Sequence, residues 1–186
     1  GQRLPPAEDG GMNMIFRRAE SAEFEEIRNF YWKLIDSFDT AQYGPGWKKG
    51  VYPSDVDLKA ALGTGGLYVL DDGEDIAAAA VINRNTGGAD GTSLLSGDIP
   101  PERVFALHML GVSPERQRAG VGRVLAGKCL ELAQHLGALC VRLDVAEGNL
   151  PAEKLYLSMG FRFAGTRAED YEGVGRMRFE IFEKIF

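Results

Sequence analysis

The stretch PERQRAGVG, residues 114–122, joins the apolar run VFALHMLGV (104–112) to a run with helical spacing. It holds two glycines one residue apart, Gly120 and Gly122, with Arg116, Arg118 and Arg123 in or beside it. Such a turn at a helix start suits a phosphate, because the first helical N–H groups lack intrahelical partners and the helix dipole favours an anion. Three patterns compete for it. A Walker A loop needs a lysine and hydroxyl pair after its second glycine, which is absent. A dinucleotide fingerprint needs a small residue three positions after Gly122, where Leu125 stands. Asp144 could supply that pattern's acidic residue, so only the third glycine rejects it firmly. The surviving reading is a turn whose N–H groups wrap a pyrophosphate, with Gly120 and Gly122 allowing close backbone approach because they lack Cβ.

Working outward, VFALHMLGV is apolar on both faces apart from His108, as expected of a central strand covered by helices on each side. Beyond the turn, Val121, Leu125, Cys129, Leu132 and Leu136 recur at helical spacing, and Gly137 ends that helix. ALCVRLDV (138–145) is the next strand, so strand, turn, helix and strand form a right-handed βαβ unit. Pro151 to Ser158 predicts a short helix with proline in its first turn, stopped by Gly160. FRFAGTRAEDY and GRMRFEIFEKIF supply two terminal strands.

On the N-terminal side, GLYVLDDGEDIAAAAVIN (66–83) reads as a hairpin around an Asp-Asp-Gly turn. MIFRRA (14–19) is an edge strand leading to a helix capped at Ser21, with Phe24, Ile27, Phe30, Tyr31, Leu34 and Ile35 as its apolar stripe. Residues 37–54 break the pattern, and a short helix capped by Ser54 follows. Residues 84–102 form a polar, glycine-rich loop long enough to be either functional or merely mobile. Residues 1–11 read as a flexible tail or a cloning remnant, leaving 12–186 as one mixed α/β domain.

The net charge of -6 argues against nucleic acid as a partner, since phosphate neutralisation needs a basic surface. No apolar run reaches the ~20 residues that span a bilayer, so no membrane segment is expected. Cys129 and Cys140 lie inside apolar patterns and read as buried free thiols of a reducing compartment, hence a cytoplasmic location. Two cysteines without nearby histidines make no zinc site, and no metal is expected.

Gln117-x-x-Gly120-x-Gly122, together with Asn149, Ala152, Leu155, Tyr156, Gly160 and Phe161 of NLPAEKLYLSMGF (149–161), resembles the two signature motifs of the GNAT N-acetyltransferase superfamily. The resemblance covers residues 13–186 in architecture and 104–163 in specific motif. It implies an α/β fold with a central mixed sheet of about seven strands flanked by helices, one central strand splayed from its neighbour. It implies acetyl-CoA as cofactor, with Gln117, Arg118, Ala119, Gly120, Val121 and Gly122 as pyrophosphate cradle. Asn149 is implied as a further contact. Leu110, Gly111 and Val112 are implied as the backbone edge for the pantetheine arm. Gly111 would then serve the strand's bulge, or else simply end the strand.

The implied reaction moves an acetyl group onto a primary amine by direct attack in a ternary complex, and a small-molecule amine is favoured over a protein. Tyr156 matches the family's general acid, and a phenol of pKa about 10 stays protonated at neutral pH; the alternative is a core tyrosine of the Leu155-Tyr156 pair. His108 is the candidate base; unbroken alternation places it on the same face as Leu110 and Val112. The equal alternative for His108 is a satisfied core residue. Asp36, Tyr43, Trp47 and Tyr52 are candidate acceptor contacts, aromatic and acidic groups that either cage a cation or pack a long loop. A non-catalytic acyl-CoA-binding regulatory domain of the same fold is the competing function. The resemblance and the terminal strand edge allow a homodimer, and the oligomeric state stays open.

Overall fold

The computed structural model describes residues 13–38, 45–84 and 93–186. The expected tail 1–11, Tyr43 and the middle of the 84–102 loop lie outside the described residues. Seven strands form one sheet: β1 (Ile15–Arg18), β2 (Leu67–Asp71), β3 (Ile76–Arg84), β4 (Val104–Val112), β5 (Cys140–Ala146), β6 (Arg162–Tyr171) and β7 (Gly175–Ile185). Their spatial order is β1-β2-β3-β4-β5-β7-β6. Every pairing is antiparallel except β4 with β5, which are parallel as a βαβ unit requires. The fold is the splayed mixed sheet that the motifs implied.

Four helices flank the sheet among the described residues: α1 (Phe24–Phe38), α2 (Asp55–Gly63), α3 (Val121–His135) and α4 (Leu150–Ser158). The predicted stripe of α1 buries Ile27, Phe30, Tyr31, Leu34 and Ile35 with Leu58, Ala61 and Leu62 of α2 against one sheet face. On the opposite face α3 buries Val121, Leu125, Cys129 and Leu132 against Phe105, Leu107, Val141 and Leu143, and Tyr156 of α4 joins the same cluster. Both thiols are buried and free.

The start of α1 differs from expectation. Ser21 is not the cap: residues Ser21–Glu23 form a 3-10 turn, and Glu20 and Glu23 make a reciprocal capping box. The Glu20 N–H donates to Glu23 Oε2 at 2.6 Å, while Arg17 ion-pairs with the same carboxylate. Glu at this position supplies the acceptor that a serine was expected to give. Ser54 does cap α2, accepting from the Asp57 N–H at 3.2 Å. Gly137, at φ 97°, and Gly160, at φ 88°, follow α3 and α4 in the left-handed conformation that closes a helix.

Two asymmetries position the site. The α1/α2 layer packs on β2–β4 and stops there, so the β5–β7–β6 half shows its second face without a helix among the described residues. In addition, β4 and β5 pair only from Val104↔Cys140 to Ala106↔Arg142, although both strands run on. From Leu107 onward the two strands part, while β5 stays paired with β7 as far as Ala146↔Phe179.

Candidate active site

The parting strands open a cavity of about 780 Å³ that joins the two faces of the sheet. Tyr156 and Asn149 border it from the α4 side, and Trp47, Tyr52, His108 and Asp144 from the other. Beyond Ala106, β4 has no strand partner on its β5 side among the described residues, which leaves that backbone edge to a ligand that can pair like a strand.

The bulge on β4 is not at Gly111. Val81 pairs with His108 and Ala79 with Gly111, so Ala80 alone faces both Met109 and Leu110. Met109 takes φ 56°, a left-handed conformation unusual for a residue with a side chain. The buried Tyr31 hydroxyl donates to the Met109 carbonyl at 2.6 Å, pinning the bulge from α1. Gly111 has a different task. A Cβ there would lie 2.4 Å from Leu34 Cδ2 and 3.4 Å from the Trp47 ring, so glycine lets α1 approach the strand.

The bulge also shifts the alternation. Phe105 and Leu107 face α3, but so do Leu110 and Val112, whereas the Cβ position of Gly111 faces α1. His108 therefore points away from the Leu110 and Val112 face, contrary to unbroken alternation, because the extra residue exchanges the faces beyond it. This places its imidazole in the lobe that the α1/α2 layer leaves open.

At the turn, Pro114–Arg116 form a 3-10 turn, then Arg118 at φ 66° and Gly120 at φ 79° wrap the backbone onto α3. Among the described residues no side chain caps α3, and no acidic residue sits in its first turn. Its leading N–H groups, from Val121 and Gly122, therefore face a site suited to an anion, with Ala119 and Arg118 in the wrap before them. Gln117 donates from Nε2 to the Val112 carbonyl at 3.3 Å, tying the turn to β4. Arg116 is occupied elsewhere, in an ion pair with Asp72, and Arg123 reaches Ser158 Oγ at 2.5 Å.

Tyr156 is 8% exposed, stacks edge-on with Phe161, and its hydroxyl has no hydrogen-bond partner among the described residues. Burial, reinforced by nearby Cys129, pushes its phenol well above the ordinary value, so it stays a proton donor. Asn149 caps α4, accepting from the Ala152 N–H at 3.5 Å. His108 is reached by solvent from the cavity yet recessed among protein walls. That recess lowers its pKa, while Asp144 and Asp57 act in the opposite direction.

Of the acceptor candidates, Trp47 and Tyr52 line the cavity, Trp47 also packing edge-on against Tyr31 and Phe38. Asp36 does not: it is exposed and ion-paired with Lys49 at 2.5 Å, because it sits on the outer face of α1. Sequence reasoning missed the charged floor. Arg167 Nε donates to Asp144 Oδ2 at 2.5 Å, Arg167 also pairs with Glu169, and Tyr171 donates to Glu169 Oε2 at 3.0 Å. Charged residues at alternate positions of two terminal strands were the available signal, and they look like an ordinary solvated face. Behind this floor Glu183, wholly buried, accepts from Arg142 Nη2 at 2.7 Å, Ser93 Oγ at 2.7 Å and the Leu94 and Leu95 N–H groups at 2.9 and 3.0 Å. Through it the 93–95 segment is fastened beside β5, and Leu94 forms part of the cavity wall.

The described residues thus bring together a parted parallel strand pair, a glycine turn with no side-chain cap and a buried phenol without a partner on one cavity. Residues 24–161 match the acetyltransferase (GNAT) family, and the chain belongs to that family. Streptothricin acetyltransferase of Streptomyces lavendulae is 30% identical over 173 residues, covering 88% of this chain and 89% of that protein. A mycothiol acetyltransferase of Thermobifida fusca is 40% identical over 72 residues, 39% of this chain but 21% of that longer protein. Among solved structures, the ribosomal-protein-alanine N-acetyltransferase of Brucella melitensis superposes with TM-score 0.69 at 17% identity, covering 92% of this chain and 99% of that one. A Salmonella typhimurium protein solved with its cofactor acetyl-CoA gives TM-score 0.68 at 16% identity, over 93% and 94% of the two chains. At such identities the likeness speaks for the fold. No described helix is long and apolar enough to cross a membrane.

Proposed function

We propose that this chain is an acetyl-CoA-dependent N-acetyltransferase acting on a primary amine of a small molecule by direct attack in a ternary complex. The observation that carries the reading is the parting of β4 from β5 beside an uncapped helix N-terminus, with the free Tyr156 hydroxyl on the cavity between them. These features fit acetyl-CoA: Gln117–Gly122 with the first turn of α3 hold the pyrophosphate, and the open edge at Leu110–Val112 pairs with the pantetheine amides. Bound there, acetyl-CoA supplies the acetyl group as an activated thioester.

The chain's own groups do the rest. His108, neutral at pH 7 because its recess lowers its pKa, takes the proton from the acceptor ammonium, directly or through a water. The Leu110 N–H donates to the acyl oxygen as negative charge grows on it. The Tyr156 hydroxyl, kept protonated by burial, gives its proton to the departing sulfur. The streptothricin acetyltransferase relative, matched over most of both chains, supports a small-molecule acceptor. Thiol release from acetyl-CoA, measured against polyamines, amino acids, arylalkylamines, aminoglycosides and short peptides, tests the proposal. Turnover with a small amine is expected. Acetyl-CoA binding without turnover across the panel overturns it in favour of a non-catalytic acyl-CoA-binding domain.

A further inference from the structure

We propose that Asp144, steadied by Arg167, is the carboxylate on which the acceptor's ammonium docks, facing His108 across the parted strands; this rests on the acetyl-transfer reading above. The geometry follows from strand register. Ala106 and Arg142 are the last paired residues of β4 and β5. Side chains alternate along each strand, so His108 and Asp144, each two residues further on, are the first same-face pair beyond the parting. Both border the cavity, and the gap between them is the way from the acceptor lobe toward the unpartnered Tyr156 hydroxyl.

Asp144 is equipped to receive a cation. Its Oδ2 accepts from Arg167 Nε at 2.5 Å, while its Oδ1 has no hydrogen-bond donor among the described residues. The Arg167 guanidinium lies over the Phe179 ring at 4.4 Å, which fixes the orientation of the carboxylate it holds. Arg167 also serves Glu169, so two carboxylates share one guanidinium and the trio keeps one negative charge. Arg142, the neighbour of Asp144 on the same face of β5, has its charge answered by the buried Glu183. An arriving ammonium completes the lone pairs of Oδ1, then meets a neutral imidazole positioned to remove its proton.

The substrate class follows. An aliphatic amine, of pKa about 10, arrives protonated and gains the contact, whereas a weakly basic arylamine arrives neutral and does not. The charges that act on His108 are Asp144 from β5 and Asp57 from α2; Arg167, Glu169 and Tyr171 from β6 and Lys48 and Tyr52 from the 45–52 segment line the same cavity. Asp144 is the leading charge that raises the imidazole pKa against its burial.

The test compares wild type, Asp144→Asn and Asp144→Glu with benzylamine and aniline as a matched pair, following thiol release. His108 is titrated by NMR alongside; the chain has only 2 histidines, so its resonance is separable from that of His135. In Asp144→Asn the benzylamine KM is expected to rise about tenfold or more, the aniline KM to stay within about twofold, and the His108 pKa to fall. Asp144→Glu recovers part of the benzylamine KM. An unchanged benzylamine KM, or an unmoved His108 pKa, overturns the docking role. If the wild type releases thiol with no amine, the transfer reading fails by itself. Calorimetry of benzylamine on the coenzyme A complex then decides Asp144: binding lost in Asp144→Asn sustains the docking role, and equal or undetectable binding in both proteins overturns it.

Discussion

Replacing Tyr31 by Phe removes one oxygen atom and, with it, the hydrogen bond that holds the Met109 carbonyl. Tyr31 is 0% exposed, so no bulk solvent reaches the vacated position. The lost bond, 2.6 Å long, is worth about 1 kcal/mol net, and the carbonyl left without a donor adds about 1–2 kcal/mol. The sum, about 2–3 kcal/mol, corresponds to about 4–12 °C in Tm for a chain of this length. The consequence for function is separate. Met109 occupies φ 56° only because its surroundings hold it there, and the bulge it forms sets which face each residue from Leu110 onward presents. Urea unfolding at constant m gives the first quantity, and coenzyme A affinity by calorimetry gives the second. Affinity is expected to fall along with stability, since the backbone edge at Leu110–Val112 depends on the pinned bulge. A variant within about 0.5 kcal/mol of wild type, with unchanged coenzyme A affinity, refutes the pinning role.

Tyr156→Phe should lower kcat at least tenfold in the thiol-release assay while leaving acetyl-CoA affinity nearly unchanged; an unaltered rate removes Tyr156 from the acid role. Gly120→Val should weaken coenzyme A binding about tenfold or more by crowding the anion site, and should cost about 1–2 kcal/mol because the residue sits at φ 79°. Glu183→Gln should cost about 3 kcal/mol in urea unfolding, since it breaks a buried ion pair and the donors of 93–95 lose their charged acceptor. Glu183 also sets a pH dependence. Burial alone would raise its carboxyl, but the hydrogen bonds from Leu94, Ser93, Arg142 and Leu95 hold it below the usual range. The unfolded chain therefore binds this proton more readily. The stabilisation is full above about pH 4.5 and fades as pH falls through the lower folded value. Glu183→Gln should flatten that part of the stability profile.

Periodicity and turn chemistry made the scaffold legible. The α1 stripe, the Ser54 cap, the glycine turn before α3 and the proline in the first turn of α4 all write a local preference that the packing then respects. The glycine turn before α3 was readable for the same reason, since its residues are contiguous in sequence. The bulge was misplaced because glycine is the usual marker of an irregular strand, whereas here a methionine takes the left-handed conformation and a tyrosine far away in sequence stabilises it. That one displacement inverted the predicted face of His108. The charged floor was illegible for another reason. Asp144, Arg167, Glu169 and Glu183 come together only through strand order, and none carries a local signal that separates it from a solvated surface charge.

The place of β7 in the sheet bears on how the protein is made. It lies between β5 and β6, so the hairpin of residues 162–185 must dock as a unit with its later strand innermost. Glu183, near the end of that strand, then fastens the 93–95 segment synthesised some ninety residues before it. β1 to β4, the α1/α2 layer, the anion turn and α3 all precede β7 in the chain. The charged floor and the anchored wall draw on β6 and β7, the last two of the described elements. The anion turn thus belongs to an earlier part of the described chain, and the charged floor with its anchored wall to a later one.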